Sequence, residues 1–130
     1  MMNQNSYRIL IVDNARAIAR RVELLFTEHR NQITTITLAD SYEQAVMHLQ
    51  HQTYHLVLLE IHLKDKSGIE LLQFIKANYP DTIVVMFTNK ASARYRDVCM
   101  QLGANAFLDK TTDFEMLPQV VMQSLEEVYG

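Results

Sequence analysis

The 130-residue chain has one cysteine, two prolines, three glycines and no tryptophan. A single thiol, Cys99, excludes an internal disulfide and any cysteine-rich zinc site. So few glycines and prolines leave no room for a flexible linker, and no repeat or low-complexity tract interrupts the chain. No apolar run approaches the ~18 residues that span a bilayer. The opening residues, MMNQNS, hold no basic cluster followed by an apolar stretch, so they do not read as a secretory signal. Neither acidic nor basic residues are in large excess. The formal net charge is −3, without the basic excess that draws a whole domain to nucleic acid or an anionic membrane. What is present, 48% hydrophobic and 21% charged residues, is the balance of one ordinary globular core. A reducing, cytoplasmic setting is the expectation.

The hydrophobic pattern alternates between short β-rich runs and longer helical periods. Residues 7–12 (YRILIV) form a compact apolar run, after which Ile18, Val22 and Leu25 recur at helical spacing. Residues 33–39 alternate and are threonine-rich, which suits an edge strand. Ser41 with Gln44, and Ser67 with Glu70, have the spacing of capping boxes that open helices. Leu56 to Leu59 is apolar on both faces, the mark of a buried parallel strand. The second of those helices runs through Ile69, Leu72 and Ile75 and stops at Tyr79-Pro80. A strand over residues 82–87, a helix through Val98 and Leu102 ending at Gly103, and a short strand over residues 104–108 follow. Val121, Leu125 and Val128 are expected to line the last helix, with a turn before it and Pro118 at its first position. Five strand–helix units with two-sided apolar centres make an α/β doubly wound sheet.

In such sheets, sites form at the carboxyl ends of the strands. The first strand ends in Asp13-Asn14, the third in Glu60, the fourth in Thr88 and the fifth in Asp109-Lys110. Strand ends often carry polar residues only because they meet solvent. Four ends with complementary chemistry point instead to one crevice holding two carboxylates, a hydroxyl and an ammonium.

The segments RILIVD (8–13), LVLLE (56–60), SGIELL (67–72), Phe87-Thr88 and GANAFLDK (103–110) resemble receiver domains of two-component response regulators. The resemblance covers residues 7–128 as a single receiver domain, with residues 1–6 expected to be a disordered extension. It implies a flavodoxin-like (βα)5 fold, a five-stranded parallel sheet of order 2-1-3-4-5 with helices on both faces. It also implies roles. In the family an aspartate ending the third strand accepts a phosphoryl group, and an acidic pair ending the first strand helps to hold Mg²⁺. A Thr or Ser on the fourth strand then bonds the phosphoryl, and a lysine on the fifth completes the pocket. By position Asp13 is similar to the first acid, Thr88 to the switch hydroxyl and Lys110 to the lysine. Phe107 is similar to the aromatic whose rotation reports the switch, and Gly68 to the glycine beyond the acceptor.

Three positions depart from that pattern. Glu60 stands at the acceptor position, Asn14 replaces the second acid, and Thr111 stands where a proline usually follows the lysine. Glutamate carries its carboxylate one methylene further into the pocket, which disturbs both in-line attack and the near-ideal octahedron that Mg²⁺ requires. Asn14 removes one anionic oxygen donor from the metal cluster. Asp13 and Glu60 would be the ligands of any Mg²⁺, but no cofactor is expected; Lys110 can offset one of the two charges directly. A trans bond is expected at Lys110-Thr111, since a non-proline residue costs ~3 kcal/mol to be cis.

Other candidates carry less. His48, His51 and His55 straddle a helix end and a strand start, too dispersed for a metal site. Cys99 reads as a buried inert thiol on an apolar helix, and Arg16, Arg20, Arg21, Arg94 and Arg96 as solvated helix faces. No glycine-rich phosphate loop follows the first strand, which speaks against FMN or dinucleotide binding. The expectation is an atypical bacterial receiver domain, not an enzyme, acting in phosphorelay signalling as a protein-interaction module. Its expected partner is a histidine kinase, an output protein or another receiver. That partner would meet the face of the fourth helix, fifth strand and fifth helix, near Arg94, Tyr95, Phe107 and Val121. Neither nucleic acid nor membrane is expected as a partner, and the chain is expected to be a monomer or weak homodimer. The alternative is a Mg²⁺-dependent phosphoacceptor served by a histidine kinase.

Overall fold

Two-sided apolar strands must be covered on both faces, and that requirement organises the molecule. The computed structural model describes residues 6–29 and 32–130; the expected extension over residues 1–6 lies almost entirely outside them. Strands β1 (Tyr7–Val12), β2 (Ile33–Ala39), β3 (Leu56–Leu59), β4 (Ile83–Thr88) and β5 (Ala106–Asp109) form one parallel sheet of order β2-β1-β3-β4-β5. Helices α1 (Arg16–Leu25), α2 (Tyr42–His51), α3 (Gly68–Asn78), α4 (Ala93–Gln101) and α5 (Leu117–Tyr129) connect and cover it. The α/β architecture is the one the hydrophobic pattern predicts, and the strand order is the one the family resemblance implies, with threonine-rich β2 at an edge.

Side chains alternate across each strand, so the sheet divides one core into two. Leu10, Val12, Val57, Leu59, Val84 and Met86 face α2, α3 and α4, packing on Ala45, Leu49, Leu72, Ile75 and Cys99. Ile9, Ile11, Leu56, Leu58, Val85 and Phe87 face the opposite way, onto Val22 of α1 and Leu117, Val121 and Leu125 of α5.

Several local expectations change. At α2 the Ser41 hydroxyl accepts from Gln44 N at 3.1 Å, but the Gln44 side chain accepts from Asp40 N rather than from Ser41 N. At α3 Ser67 Oγ accepts from Ile69 N, one residue earlier than a capping box requires, and Glu70 is exposed. The last turn before α5 is a 3-10 turn (Phe114–Met116), and Pro118 falls second in the helix, after Leu117. Val128 does not line the α5 core: it is 52% exposed, on the side of the last turn turned away from the sheet, while its neighbour Tyr129 packs against Tyr7 and His55. Nor is α4 an apolar helix. Cys99 is its one buried residue, and Val98, Tyr95 and Met100 are exposed. No peptide bond among the described residues is cis, so Lys110-Thr111 is trans.

Candidate functional site

Parallel register aligns the strand ends. Val12 pairs with Leu59, Leu59 with Met86 and Met86 with Phe107. The residues just beyond therefore emerge together, with Glu60 N donating to Val12 O at 3.0 Å and Lys110 N to Thr88 O at 3.1 Å. Asp13, Glu60, Thr88 and Lys110 are all buried at this edge.

Their side chains form one closed network. Lys110 Nζ lies 2.6 Å from Asp13 Oδ2 and 2.6 Å from Glu60 Oε1. Asp13 Oδ1 accepts from Ala15 N at 2.8 Å. Glu60 Oε2 accepts from His62 N at 3.0 Å and from the Thr88 hydroxyl. The same hydroxyl oxygen accepts from Lys90 N at 3.0 Å, so Thr88 ties Glu60 to the start of the β4–α4 loop. Burial by itself pushes the Glu60 carboxyl up. The Lys110, Thr88 and His62 hydrogen bonds and the Lys110 charge outweigh that, holding it below the ordinary glutamate value.

Asn14 is exposed and stands outside this network. Phe107 is buried in the core on the α3–α4 side, with the Arg96 guanidinium 5.1 Å from its ring centre. Val121 is buried under α5, so neither it nor Phe107 is presented on the outer face, whereas Arg94 and Tyr95 are. His48, His51 and His55 are not gathered into a metal-binding group, and none of three or more His, Cys, Asp or Glu residues exists among the described residues.

The donor set does not fit Mg²⁺. A divalent cation in octahedral oxygen coordination needs carboxylate oxygens free to face it. Here Asp13 and Glu60 supply four: three accept hydrogen bonds from this chain, and the fourth, Asp13 Oδ2, is paired with the Lys110 ammonium. Two of the four are taken by an ammonium that repels a cation.

Three features of the site leave no trace in side-chain chemistry. The amides of Ala15, His62 and Lys90 are backbone donors, which any residue except proline supplies. The loop after Glu60 is also fastened in a way the sequence reading misses. Asp65 accepts from Tyr42 N at 2.9 Å and Glu43 N at 3.0 Å, capping α2 from outside it. Lys64 pairs with Asp40 at 3.3 Å, and Lys66 Nζ stands 4.8 Å over the Tyr42 ring. Asp65 stands two residues before Ser67, the cap of α3, yet it caps α2 instead, so its capping role has no local sequence signal.

The family model described as the response regulator receiver domain matches residues 9–122. A receiver domain protein of Methanospirillum hungatei, described as CheY-like, superposes with a TM-score of 0.84 at 25% identity, covering 94% of this chain and 95% of that one. The response regulator protein PilR of Pseudomonas aeruginosa is 30% identical over 118 residues, 91% of this chain and 26% of that protein. The sensory transduction protein LytT of Enterococcus faecalis is 28% identical over 120 residues, 92% of this chain and 48% of that protein. The chain thus spans about half the length, or less, of these curated relatives. No helix among the described residues is long and apolar enough to cross a membrane.

Proposed function

The chain belongs to the response regulator receiver domain family, and we propose that it serves two-component signalling as a protein-interaction module without phosphorylation at the usual position. One observation carries this reading: both oxygens of Glu60 are already engaged, by Lys110 on one side and by Thr88 and His62 N on the other. An acceptor needs an oxygen free for in-line attack on phosphorus, with a cation alongside to balance the charge. Neither condition suits Glu60 as it is held.

The Glu60–Thr88 bond also favours a fixed switch over a merely vestigial pocket. Thr88 is matched to the residue that bonds the phosphoryl in the family, and here its hydroxyl is bonded by a resident carboxylate. A carboxylate has one charge and two acceptor oxygens against nearly two charges and three for a phosphate, so the imitation is partial. The partner, a histidine kinase, output protein or second receiver, meets the face of α4, β5 and α5. On that face the exposed Arg94 and Tyr95 are free to contact it, while Phe107 and Val121 act from beneath.

Retained Asp13, Thr88 and Lys110 support a second reading, a Mg²⁺-dependent phosphoacceptor. Incubation with acetyl phosphate and Mg²⁺, followed by intact-mass spectrometry, separates the two. The proposal expects no phosphoryl adduct on the wild type, and an adduct on the double variant Asn14→Asp with Glu60→Asp. A hydroxylamine-labile phosphoryl group on wild-type Glu60 would establish the second reading.

A further inference from the structure

We infer that Lys110 is the resident cation of this pocket, an internal ammonium that takes the charge-balancing place of a divalent metal ion and keeps Mg²⁺ out. The inference rests on the phosphorylation-independent reading and adds the device that enforces it.

Two buried carboxylates side by side need a positive charge between them, because like charges in a low-dielectric site repel strongly. A pocket has two ways to supply it: recruit a cation from solvent or build one in. Lys110 is 8% exposed and its Nζ meets one oxygen of each acid at 2.6 Å. It is a bridge between both anions rather than a partner of one. The length of Glu60 completes the arrangement. Its carboxylate reaches Lys110 with one oxygen while the other stays on Thr88 and His62 N. An aspartate at position 60, one methylene shorter, has less reach for holding all three donors. Asn14 contributes in the same direction: a third carboxylate there would leave one ammonium to balance three anions. Its amide is exposed and adds no charge. The two departures from the family pattern, at 14 and 60, thus bring the acid count down and the lysine contact up together.

The consequence is a reversal of the usual role of a binding residue. Removing Lys110 takes away the cation and uncovers two carboxylate oxygens facing the same gap, which is a ligand pair for a hard divalent ion. Loss of Lys110 therefore creates a Mg²⁺ response that the wild type lacks.

Two titrations test this on the full chain, with amide NMR and thermal unfolding read at matched ionic strength in Mg²⁺ and in Na⁺. In the wild type, amides of Asp13, Ala15, Glu60 and His62 are expected to stay in place at millimolar Mg²⁺, and Mn²⁺ is expected not to broaden them. In Lys110→Met, millimolar Mg²⁺ is expected to raise the melting temperature by several degrees more than Na⁺ does, and Mn²⁺ to broaden those amides. Lys110→Gln serves if the methionine variant does not fold. Saturable Mg²⁺ shifts at the wild-type pocket overturn the inference directly, and so does a folded Lys110 variant indifferent to Mg²⁺. A wild type that binds Mg²⁺ yet takes no phosphoryl from acetyl phosphate would defeat the resident-cation inference alone, leaving the phosphorylation-independent function standing.

Discussion

Gly68, the first residue of α3, packs against the backbone of Glu60. A β-carbon on Gly68 would lie 2.9 Å from both the Glu60 carbonyl carbon and the Ile61 α-carbon, and closer still to Glu60 O. The Gly68 amide meanwhile donates to Ile61 O at 2.7 Å, so the helix start cannot back away without losing that bond. The absence of a side chain at 68 is what lets α3 seat directly beneath the acceptor-position residue. Gly68→Ala is expected to cost about 1–3 kcal/mol as an overpacking defect. Urea unfolding measures it, and a variant as stable as the wild type would mean that the contact relaxes freely.

Thr88→Val keeps the shape of the side chain and deletes the hydroxyl that links Glu60 to Lys90 N. Leaving one oxygen of a buried carboxylate short of a donor is expected to cost about 1–3 kcal/mol. Thr88→Ser, which restores the hydroxyl, should recover most of it. If valine and serine behave alike in urea unfolding, the hydroxyl contributes nothing and packing alone accounts for threonine.

The Glu60 carboxyl is held below its ordinary value of 4.5, so the folded state favours the ionised form. Its contribution to stability is present above that ordinary value and disappears as pH falls through the lower, folded-state value. Glu60→Gln lacks this contribution at every pH. The stability gap between wild type and Glu60→Gln, from urea unfolding, should accordingly narrow steadily as pH is lowered from about 6 toward 3. A gap that stays constant over that interval would contradict the ion pair's role.

His55 works with the opposite sign. Its Nδ1 accepts from Arg8 N at 2.9 Å, which needs a neutral ring, and the ring stands edge-on to Tyr129 with centroids 4.9 Å apart. Burial, and then the Arg8 charge, push its pKa below the ordinary 6.5. The unfolded chain therefore takes up a proton first on acidification, and this residue makes stability fall as pH drops below that ordinary value. His55→Phe should flatten the decline between about pH 7 and 5 in thermal unfolding. An unchanged slope would place the acid sensitivity elsewhere.

Asp65→Ala removes the external cap of α2 and frees the loop that presents His62 N to Glu60. A loss of about 1 kcal/mol is expected, as for other caps. Faster amide exchange should appear at Tyr42 and Glu43. Exchange rates equal to those of the wild type would show that Ser41 caps the helix unaided.

The sheet was legible in the sequence because burial on two faces leaves a run such as Leu56 to Leu59 with no polar interruption, and few other structures demand that. Thr35 and Thr37 in β2 gave away its edge position for the complementary reason. Where one face of a helix is apolar only in part, the pattern misleads. Val98 and Cys99 are neighbours in α4, yet helical geometry turns one to solvent and buries the other. The meeting of Asp13, Glu60, Thr88 and Lys110 followed from their places at the strand ends. The occupancy of each carboxylate oxygen did not, since it depends on backbone amides and on where a four-carbon lysine stem can reach. Arg96 over the Phe107 ring was likewise invisible, joining residues eleven positions apart through the packing of α4 on β5.

In the proposed function, the side chains of this receiver domain hold Asp13, Glu60, Thr88 and Lys110 in place without a phosphoryl group. Amide NMR with Mg²⁺ and beryllofluoride, which imitates a phosphoryl group on an acceptor carboxylate, tests it most directly. The expected result is a well-dispersed spectrum in which Asp13, Glu60, Thr88 and Lys110 do not move. Shifts centred on those four residues, spreading to Phe107 and α4, would show a working acceptor and contradict it.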